Sequence, residues 1–255
     1  MKFGICTAIE NIEKVEKMGF DYLEANASNV ASLSDEDFAK TVELVQKAGI
    51  GCECFNVLFP KTIKVVGPEK DEGQMVPYLH KVFFRIQKLG GKIVVFGSGA
   101  CRSFPPEMDF DEAFRQLVDS FRLVGKIAAE YGITIVIEPL NRGESNLISS
   151  VAEGAELRAI VNMPNVQLLA DGYHMFLEDE KLSDISRVGK IAHTHIAIRE
   201  GRGYPLVEDS DLKGFFQQLK AIGYEERISI EGKTSNFDEE APKGLALLKK
   251  LKAEA

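Results

Sequence analysis

The chain has 255 residues, 45% of them hydrophobic and 27% charged, which is a globular composition and excludes a disordered or collagen-like polymer. Its formal net charge of −8 argues against nucleic acid as a partner, because a phosphate backbone is held by clustered Lys and Arg. No apolar run reaches the ~18 residues of a membrane span, and Glu10 and Glu13 interrupt any signal-peptide core. We therefore expect a cytoplasmic protein with no membrane partner.

The four cysteines carry no redox motif. Cys6, Cys52, Cys54 and Cys101 all lie in the first half of the chain, and none has CxxC spacing. We expect them to be thiols that pack as small apolar residues in a reducing compartment.

Short apolar runs recur along the chain, and each leaves room for a helix before the next run begins. In chain order the runs are 3–6 (FGIC), 22–25 (YLEA), 51–55 (GCECF), 92–97 (KIVVFG), 133–138 (ITIVIE), 166–171 (VQLLAD), 191–196 (IAHTHI) and 227–231 (RISIE). Between them, apolar residues such as Phe114, Leu117 and Phe121 recur at helical spacing. The segment SDED at 34–37 predicts a helix start that Ser34 caps.

Eight alternations of strand and helix in a chain of 255 residues predict a (β/α)8 TIM barrel. No Pro- or Ser-rich linker and no block of charge divides the chain, so we predict a single domain over residues 1–255. A doubly wound open sheet is the competing fold, and it usually carries a Gly-rich phosphate loop. The GSG at 97–99 is not the GxGxxG fingerprint, so we predict no nucleotide cofactor.

The last four apolar runs each carry, at their last or next-to-last position, a side chain that can bind a metal ion: Glu138, Asp171, His195 and Glu231. The C-terminal strand ends of a barrel meet at one face, where active sites lie. Three carboxylates gathered there repel one another unless a cation lies between them. Three oxygens and one imidazole suit one divalent ion, with Mn²⁺ our first choice and Mg²⁺, Co²⁺ or Zn²⁺ as alternatives.

Four segments carry a family resemblance: ITIVIEPLNRGESN at 133–146, LLADGYHM at 168–175, HTHIA at 193–197 with GRGYP at 201–205, and ISIEG at 228–232. They resemble the xylose isomerase-like TIM-barrel superfamily. Within it, the ketose 3-epimerase branch is most similar, beside the hydroxypyruvate isomerases and the sugar-phosphate isomerases and epimerases. The resemblance covers nearly the whole chain and is densest from 133 to 231.

The resemblance implies a one-metal site whose ligands are Glu138, Asp171, His195 and Glu231. It also implies substrate contacts from Glu144, His174 and an Arg in the loop after the seventh strand. Arg199 and Arg202 are the two candidates for that loop Arg. The family pattern favours Arg202, with a one-residue gap.

Other polar residues receive smaller roles. Because strand side chains alternate, His193 and His195 point to the same side, and we expect His193 to be a packed residue one layer deeper. We expect His80 to be structural, in a helix. Glu24 and Glu53 belong to strands, and we interpret them as polar wall residues of the pocket.

Epimerisation beside a ketone requires loss of a C–H proton, and a chelated divalent ion stabilises the enediolate that forms. Glu138 and Glu231 come from strands three apart and can flank a sugar, one removing the proton and the other returning one. We therefore expect an isomerase that epimerises or isomerises a ketose or ketose phosphate, with these two residues catalytic. A homo-oligomer and the identity of the physiological ion are left open.

Several alternatives use the same scaffold. An inosose-type dehydratase or a hydroxypyruvate isomerase would use the same metal site, and a sugar-binding module would leave the ligand set unexplained. An endonuclease IV-like nuclease is remote, since it needs His ligands where the third and fourth strands here end in Asn56 and Gly97. A phosphorylated substrate would need an anion site, for which Arg102, Arg142 and Lys233 are candidates.

Overall fold

Eight parallel strands close into a barrel in the order in which they occur along the chain, and helices surround it. The computed structural model describes all 255 residues. The strands are β1 (Lys2–Cys6), β2 (Tyr22–Asn26), β3 (Gly51–Asn56), β4 (Ile93–Phe96), β5 (Thr134–Ile137), β6 (Val166–Asp171), β7 (His193–Ile196) and β8 (Arg227–Ile230). Each strand coincides with one predicted apolar run, which confirms the single-domain (β/α)8 TIM barrel.

Helices fill the connections between the strands. They are α1 (Ile12–Lys17), α2 (Ala27–Ser32), α3 (Asp35–Lys47), α4 (Glu72–Lys88), α5 (Gly99–Arg102), α6 (Phe110–Glu130), α7 (Val151–Val161), α8 (Gly172–Leu177), α9 (Ser183–Val188), α10 (Ser210–Ala221) and α11 (Phe237–Glu254). The predicted cap of α3 is confirmed, since the Ser34 hydroxyl accepts the N–H of Asp37 at 3.1 Å. None of the helices combines the length and apolar character that crossing a bilayer requires.

The apolar core lies in two layers on either side of the strands. The larger cluster holds 61 buried residues and joins outward strand side chains to the helices. A second cluster of six strand residues fills part of the barrel interior. Val94 belongs to the first cluster and Val95 to the second, as the alternation of side chains along a strand requires. All four cysteines are free, as predicted.

Parallel pairing of the strands sets the relative positions of the residues at the barrel mouth. Asp171 of β6 pairs with His195 of β7, and His195 pairs in turn with Ser229 of β8. Glu138 follows β5 directly, and Glu231 follows β8 directly. The four predicted ligands therefore come from four consecutive strands at the same face of the barrel.

Candidate active site

The structure brings Glu138, Asp171, His195 and Glu231 together. Each offers one donor atom, and these four atoms all lie within 4.8 Å of one another. Nδ1 of His195 is 3.1 Å from Oε1 of Glu138, 3.1 Å from Oε2 of Glu231 and 4.0 Å from Oδ2 of Asp171. His195 and Asp171 are almost completely buried, and Glu138 is 6% exposed.

The local structure of Asp171 leaves one of its oxygens for this cluster. Asp171 is the N-cap of α8, and its Oδ1 accepts the backbone N–H of Tyr173 at 2.8 Å. The other oxygen, Oδ2, faces His195. One carboxylate thus begins a helix and contributes to the cluster.

The electrostatics of the cluster demand positive charge. Burial acts to lower the pKa of His195, but the carboxylates of Glu231 and Glu24 raise it well above its usual value. Burial raises the pKa of Glu138, and the charge of Glu231 adds to that increase. Burial would raise the pKa of Glu231 too, yet His195 and Arg202 hold it well below its usual value. Bound protons and the Arg202 guanidinium offset the negative charge of the carboxylates here. A divalent ion would offset the same charge.

The donor set fits a divalent metal ion. Donor atoms that each lie ~2.0–2.2 Å from one ion are themselves about 3–4 Å apart, and the contacts of His195 Nδ1 to the three carboxylates fall in that range. One imidazole with carboxylate oxygens suits Mn²⁺, Mg²⁺, Co²⁺ or Zn²⁺. The thiol of Cys54 is buried inside the barrel, and that of Cys6 is half-buried at the end of β1. Burial raises the pKa of both thiols well above the usual value, so neither is a ready thiolate ligand.

His174 lies on α8 beside the cluster with one nitrogen free. Its Nδ1 accepts the backbone N–H of Asn141 at 3.2 Å, which places the ring proton on Nε2. Nε2 is buried and has no hydrogen-bond partner, and it lies 3.5 Å from Oδ2 of Asp171. The amide of Asn141 also donates to Oε1 of Glu144 at 3.1 Å. Asn141, which the sequence interpretation did not single out, thereby links two predicted substrate residues; its position within the EPLNR segment is the signal that could have found it.

Arg202 reaches the carboxylate cluster from the loop after β7. Its Nη2 donates to Oε2 of Glu231 and lies 3.4 Å from Oδ2 of Asp171, while its Nη1 lies 3.5 Å from Oε1 of Glu144. The guanidinium carbon lies 4.7 Å from the centre of the Tyr173 ring. Its backbone adopts φ of 57°, a left-handed conformation that is uncommon for a residue with a side chain.

Arg199 points away from the cluster. Its guanidinium contacts Asp179 at 2.8 Å and Asp211 at 3.5 Å. Of the two arginines in the loop, the structure thus brings only Arg202 to the predicted site.

Two cavities meet at Glu231. One, of about 260 Å³, is lined by Glu138, Glu144, His174, Arg202 and Glu231 together with residues of the loops after β3 and β4. The other, of about 360 Å³, lies on the other side of Glu231 and is lined by three amides, those of Asn26, Asn29 and Asn56. Nδ2 of Asn56 donates to Oε1 of Glu231 at 2.6 Å.

The remaining polar candidates lie elsewhere or have other partners. Glu53 does not line the mouth: it pairs with Lys2 and Arg227, the first residues of β1 and β8, at the opposite end of the barrel. His80 bonds to the hydroxyl of Tyr131 between two helices. Glu24 is fully buried and contacts both His193 and His195, a larger role than a wall residue has.

The three residues considered for binding a substrate phosphate do not line the candidate site. Arg102 is fully buried, and its guanidinium donates to the Ser145 hydroxyl and to backbone carbonyls. Arg142 pairs with Glu178, and Lys233 is exposed. None of the three lines the two cavities at Glu231.

A closed (β/α)8 barrel whose strand ends gather three carboxylates and an imidazole defines a barrel enzyme scaffold with a candidate metal centre. The chain belongs to the xylose isomerase-like TIM barrel family, whose model matches residues 12–251.

The chain is also similar to individual epimerases. The chain is 24% identical over 235 residues to 3-dehydro-D-guloside 4-epimerase of Escherichia coli (strain K12), an alignment that covers 88% of this chain and 87% of that protein. It is 25% identical over 247 residues to L-ribulose 3-epimerase of Mesorhizobium japonicum, covering 95% of this chain and 82% of that one. A crystal structure of D-psicose 3-epimerase in the presence of D-fructose has a TM-score of 0.85 at 23% identity, with 99% of both chains covered, and shows the shared fold. By these relatives the protein is an enzyme of the sugar epimerase and isomerase class.

Proposed function

We propose that the protein is a divalent-metal-dependent ketose epimerase that works by removing a proton beside the substrate carbonyl. The observation that carries the proposal is the position of Glu138 and Glu231. These two carboxylates come from strands three apart, both contact His195 Nδ1, and both line the same cavity of about 260 Å³. A sugar bound in that cavity would lie against both carboxylates.

Glu138, Asp171, His195 and Glu231 would hold the ion. A bound divalent ion supplies Lewis acidity that polarises a carbonyl and stabilises negative charge on its oxygen. Glu138 or Glu231 removes the proton from the carbon beside the carbonyl, which leaves an enediolate. The other carboxylate then delivers a proton to the opposite face, and the configuration of that carbon is inverted.

Three further side chains would orient the substrate. The Nε2–H of His174 is buried without a partner, and a substrate hydroxyl would satisfy it. Arg202 and Glu144 line the same cavity. The Arg202 guanidinium would donate hydrogen bonds to the substrate, and the Glu144 carboxylate would accept them from its hydroxyl groups. Their hydrogen bonds hold the reacting carbon between the two glutamates.

An uncharged ketose suits the cavity better than a ketose phosphate. The three arginine and lysine residues that could hold a phosphate are absent from its lining, and Lys61 at the rim is the only cation there besides Arg202. Among relatives, L-ribulose 3-epimerase is named for an unphosphorylated ketose, which supports the same choice.

The second cavity favours a second candidate, epimerisation of a keto sugar that carries a glycosidic substituent. Its volume of about 360 Å³ exceeds that of the first cavity, and no Lys or Arg lines it. Asn26, Asn29 and Asn56 supply neutral amides, which suit the hydroxyl groups of a sugar. A relative named 3-dehydro-D-guloside 4-epimerase supports this reading.

The test is a turnover screen of the purified enzyme in D2O with Mn²⁺, Mg²⁺ or Co²⁺. The panel contains D-fructose, D-tagatose and L-ribulose, their phosphates, a 3-keto-glucoside, an inosose and hydroxypyruvate. We expect metal-dependent epimerisation of a ketose or keto-glycoside with one solvent deuteron at the inverted carbon. Dehydration of the inosose alone, isomerisation of hydroxypyruvate alone, or inversion without deuterium would contradict the proposal.

A further inference from the structure

A closed polar network lies inside the barrel directly beneath the candidate metal site. Its centre is Glu24 of β2, whose side chain is 0% exposed. Oε1 of Glu24 is 3.0 Å from Nε2 of His195, and Oε2 is 2.8 Å from Nε2 of His193. The hydroxyl of Ser229 also donates to Oε2 and lies 2.7 Å from the hydroxyl of Tyr22.

A carboxylate at this depth is costly. Barrel interiors are filled mainly by branched apolar side chains, and a buried charge requires several donors to offset its lost hydration. Glu24 reaches its partners across the barrel, since β1 and β8 lie between β2 and β7. Its position is therefore maintained by hydrogen bonds from β7 and β8 on the far side of β1.

The network determines which nitrogen of His195 is available. An ionised carboxylate only accepts hydrogen bonds, so each side chain that contacts Glu24 must donate to it. His195 therefore carries a proton on Nε2, and its Nδ1 faces the carboxylates of Glu138 and Glu231. His193 donates through Nε2 in the same way, and its buried Nδ1 has no partner.

We propose that Glu24 is the positioning residue of this site: it fixes the tautomer and ring orientation of His195, so that Nδ1 is presented to the divalent ion. This inference rests on the metal site of the proposed function. A carboxylate behind a histidine ligand also makes the imidazole a stronger donor, and removing such a partner typically weakens metal binding about 10–100-fold.

The chain offers a matched control for Glu24. Glu53 is a carboxylate on the adjacent strand β3, it also has charged partners, and it lies at the opposite end of the barrel. Glu24→Gln and Glu53→Gln remove the same charge at two depths, and only the first touches His195.

The test measures Mn²⁺ affinity by competition with a chromophoric chelator, together with the melting temperature of the metal-free protein. We expect Glu24→Gln to bind Mn²⁺ about 10–100-fold more weakly than the wild type and Glu53→Gln to bind it equally well. Glu24→Asp keeps the charge but withdraws it from both imidazoles, so it should also bind weakly. That variant decides the question if Glu24→Gln does not fold.

A second readout needs no variant. In ¹H–¹⁵N spectra of the Zn²⁺-loaded wild type, His195 should show a protected proton on Nε2 and none on Nδ1. Coordination through Nε2, or wild-type affinity in both Glu24 variants, would overturn the role of Glu24 while leaving the metal site intact. A wild-type protein that binds no Mn²⁺ would overturn the metal site, and the proposal for Glu24 with it.

Discussion

A side chain at position 97 has no room beside Glu138, because a Cβ atom on Gly97 would lie 1.8 Å from Oε2 of that carboxylate. Glu138 is nearly buried, and its other oxygen contacts His195, so it cannot turn away without leaving the cluster. Because Gly97 has no side chain, the Glu138 carboxylate can occupy the space beside it. The same crowding leaves no room for the histidine that a nuclease site would need on the fourth strand.

This relationship predicts the effect of Gly97→Ala. The methyl group should displace the Glu138 carboxylate while the fold is retained, and kcat/KM should fall at least about 10²-fold, as for loss of a general base. Gly51→Ala is the matched control, because a Cβ there would meet only Cγ of Glu53 at an ordinary 3.5 Å. Steady-state kinetics and circular dichroism on both variants provide the measurement. Full activity in Gly97→Ala would contradict the placement of Glu138.

The two proposed bases should be separately essential. Glu138→Gln and Glu231→Gln each keep the side-chain shape but remove a proton acceptor, so turnover should fall about 10²–10⁴-fold. The measurement is turnover in D2O with saturating Mn²⁺, with metal content determined on the same samples. Glu53→Gln, at the other end of the barrel, should be unaffected. If one of the two site variants turned over normally, the two-carboxylate mechanism would be wrong.

The loop arginines form a matched pair for substrate binding. Arg202→Ala removes donors from the cavity, and the loss of a hydrogen bond to a charged group costs about 1.5–3 kcal/mol, or roughly ten- to a hundredfold in kcat/KM. Metal affinity should be unchanged or higher, since a competing cation beside Glu231 and Asp171 is removed. Arg199→Ala breaks only contacts to Asp179 and Asp211 and should be kinetically silent. If Arg199→Ala lowered kcat/KM and Arg202→Ala did not, Arg199 would be the substrate-binding arginine of this loop.

Glu180, which lies away from the site, should make the free energy of unfolding depend on pH. Burial raises its pKa to about 7, and the charges of Asp184 and Glu153 contribute. Because the native state then holds a proton that the unfolded state has released, this residue lowers the free energy of unfolding as the pH rises from about 4.5 to 7. Glu180→Gln can still accept the backbone N–H of Val151, so it should be more stable than the wild type by about 1–3 kcal/mol at pH 8.

The measurement for Glu180 is urea unfolding of both proteins at pH 4.5, 6 and 8. The stability difference should be largest at pH 8 and shrink as the pH falls. A difference that does not depend on pH would show that Glu180 has an ordinary pKa in the folded protein.

Much of this protein is determined by its sequence alone. Apolar runs and helical spacing are local patterns, and all eight strands follow from them because each strand is buried on both faces. The predicted ligands also follow from local position, since parallel strands in a barrel must present their C-terminal ends at one face. Glu138, Asp171, His195 and Glu231 therefore needed no knowledge of distant contacts.

Only the tertiary structure decided the relationships that cross the barrel or depend on loop conformation. Glu24 and His195 are 171 residues apart, and their contact exists only because the barrel closes. Arg202 and Arg199 have similar sequence surroundings, and the left-handed backbone at Arg202 and the hydrogen bond from Lys233 N to its carbonyl select between them. Glu53 resembles Glu24 in its strand pattern, yet it lies at the other end of the barrel. Alternation along a strand reports the side on which a residue lies, whereas its depth and its partners across the barrel are set by closure and register.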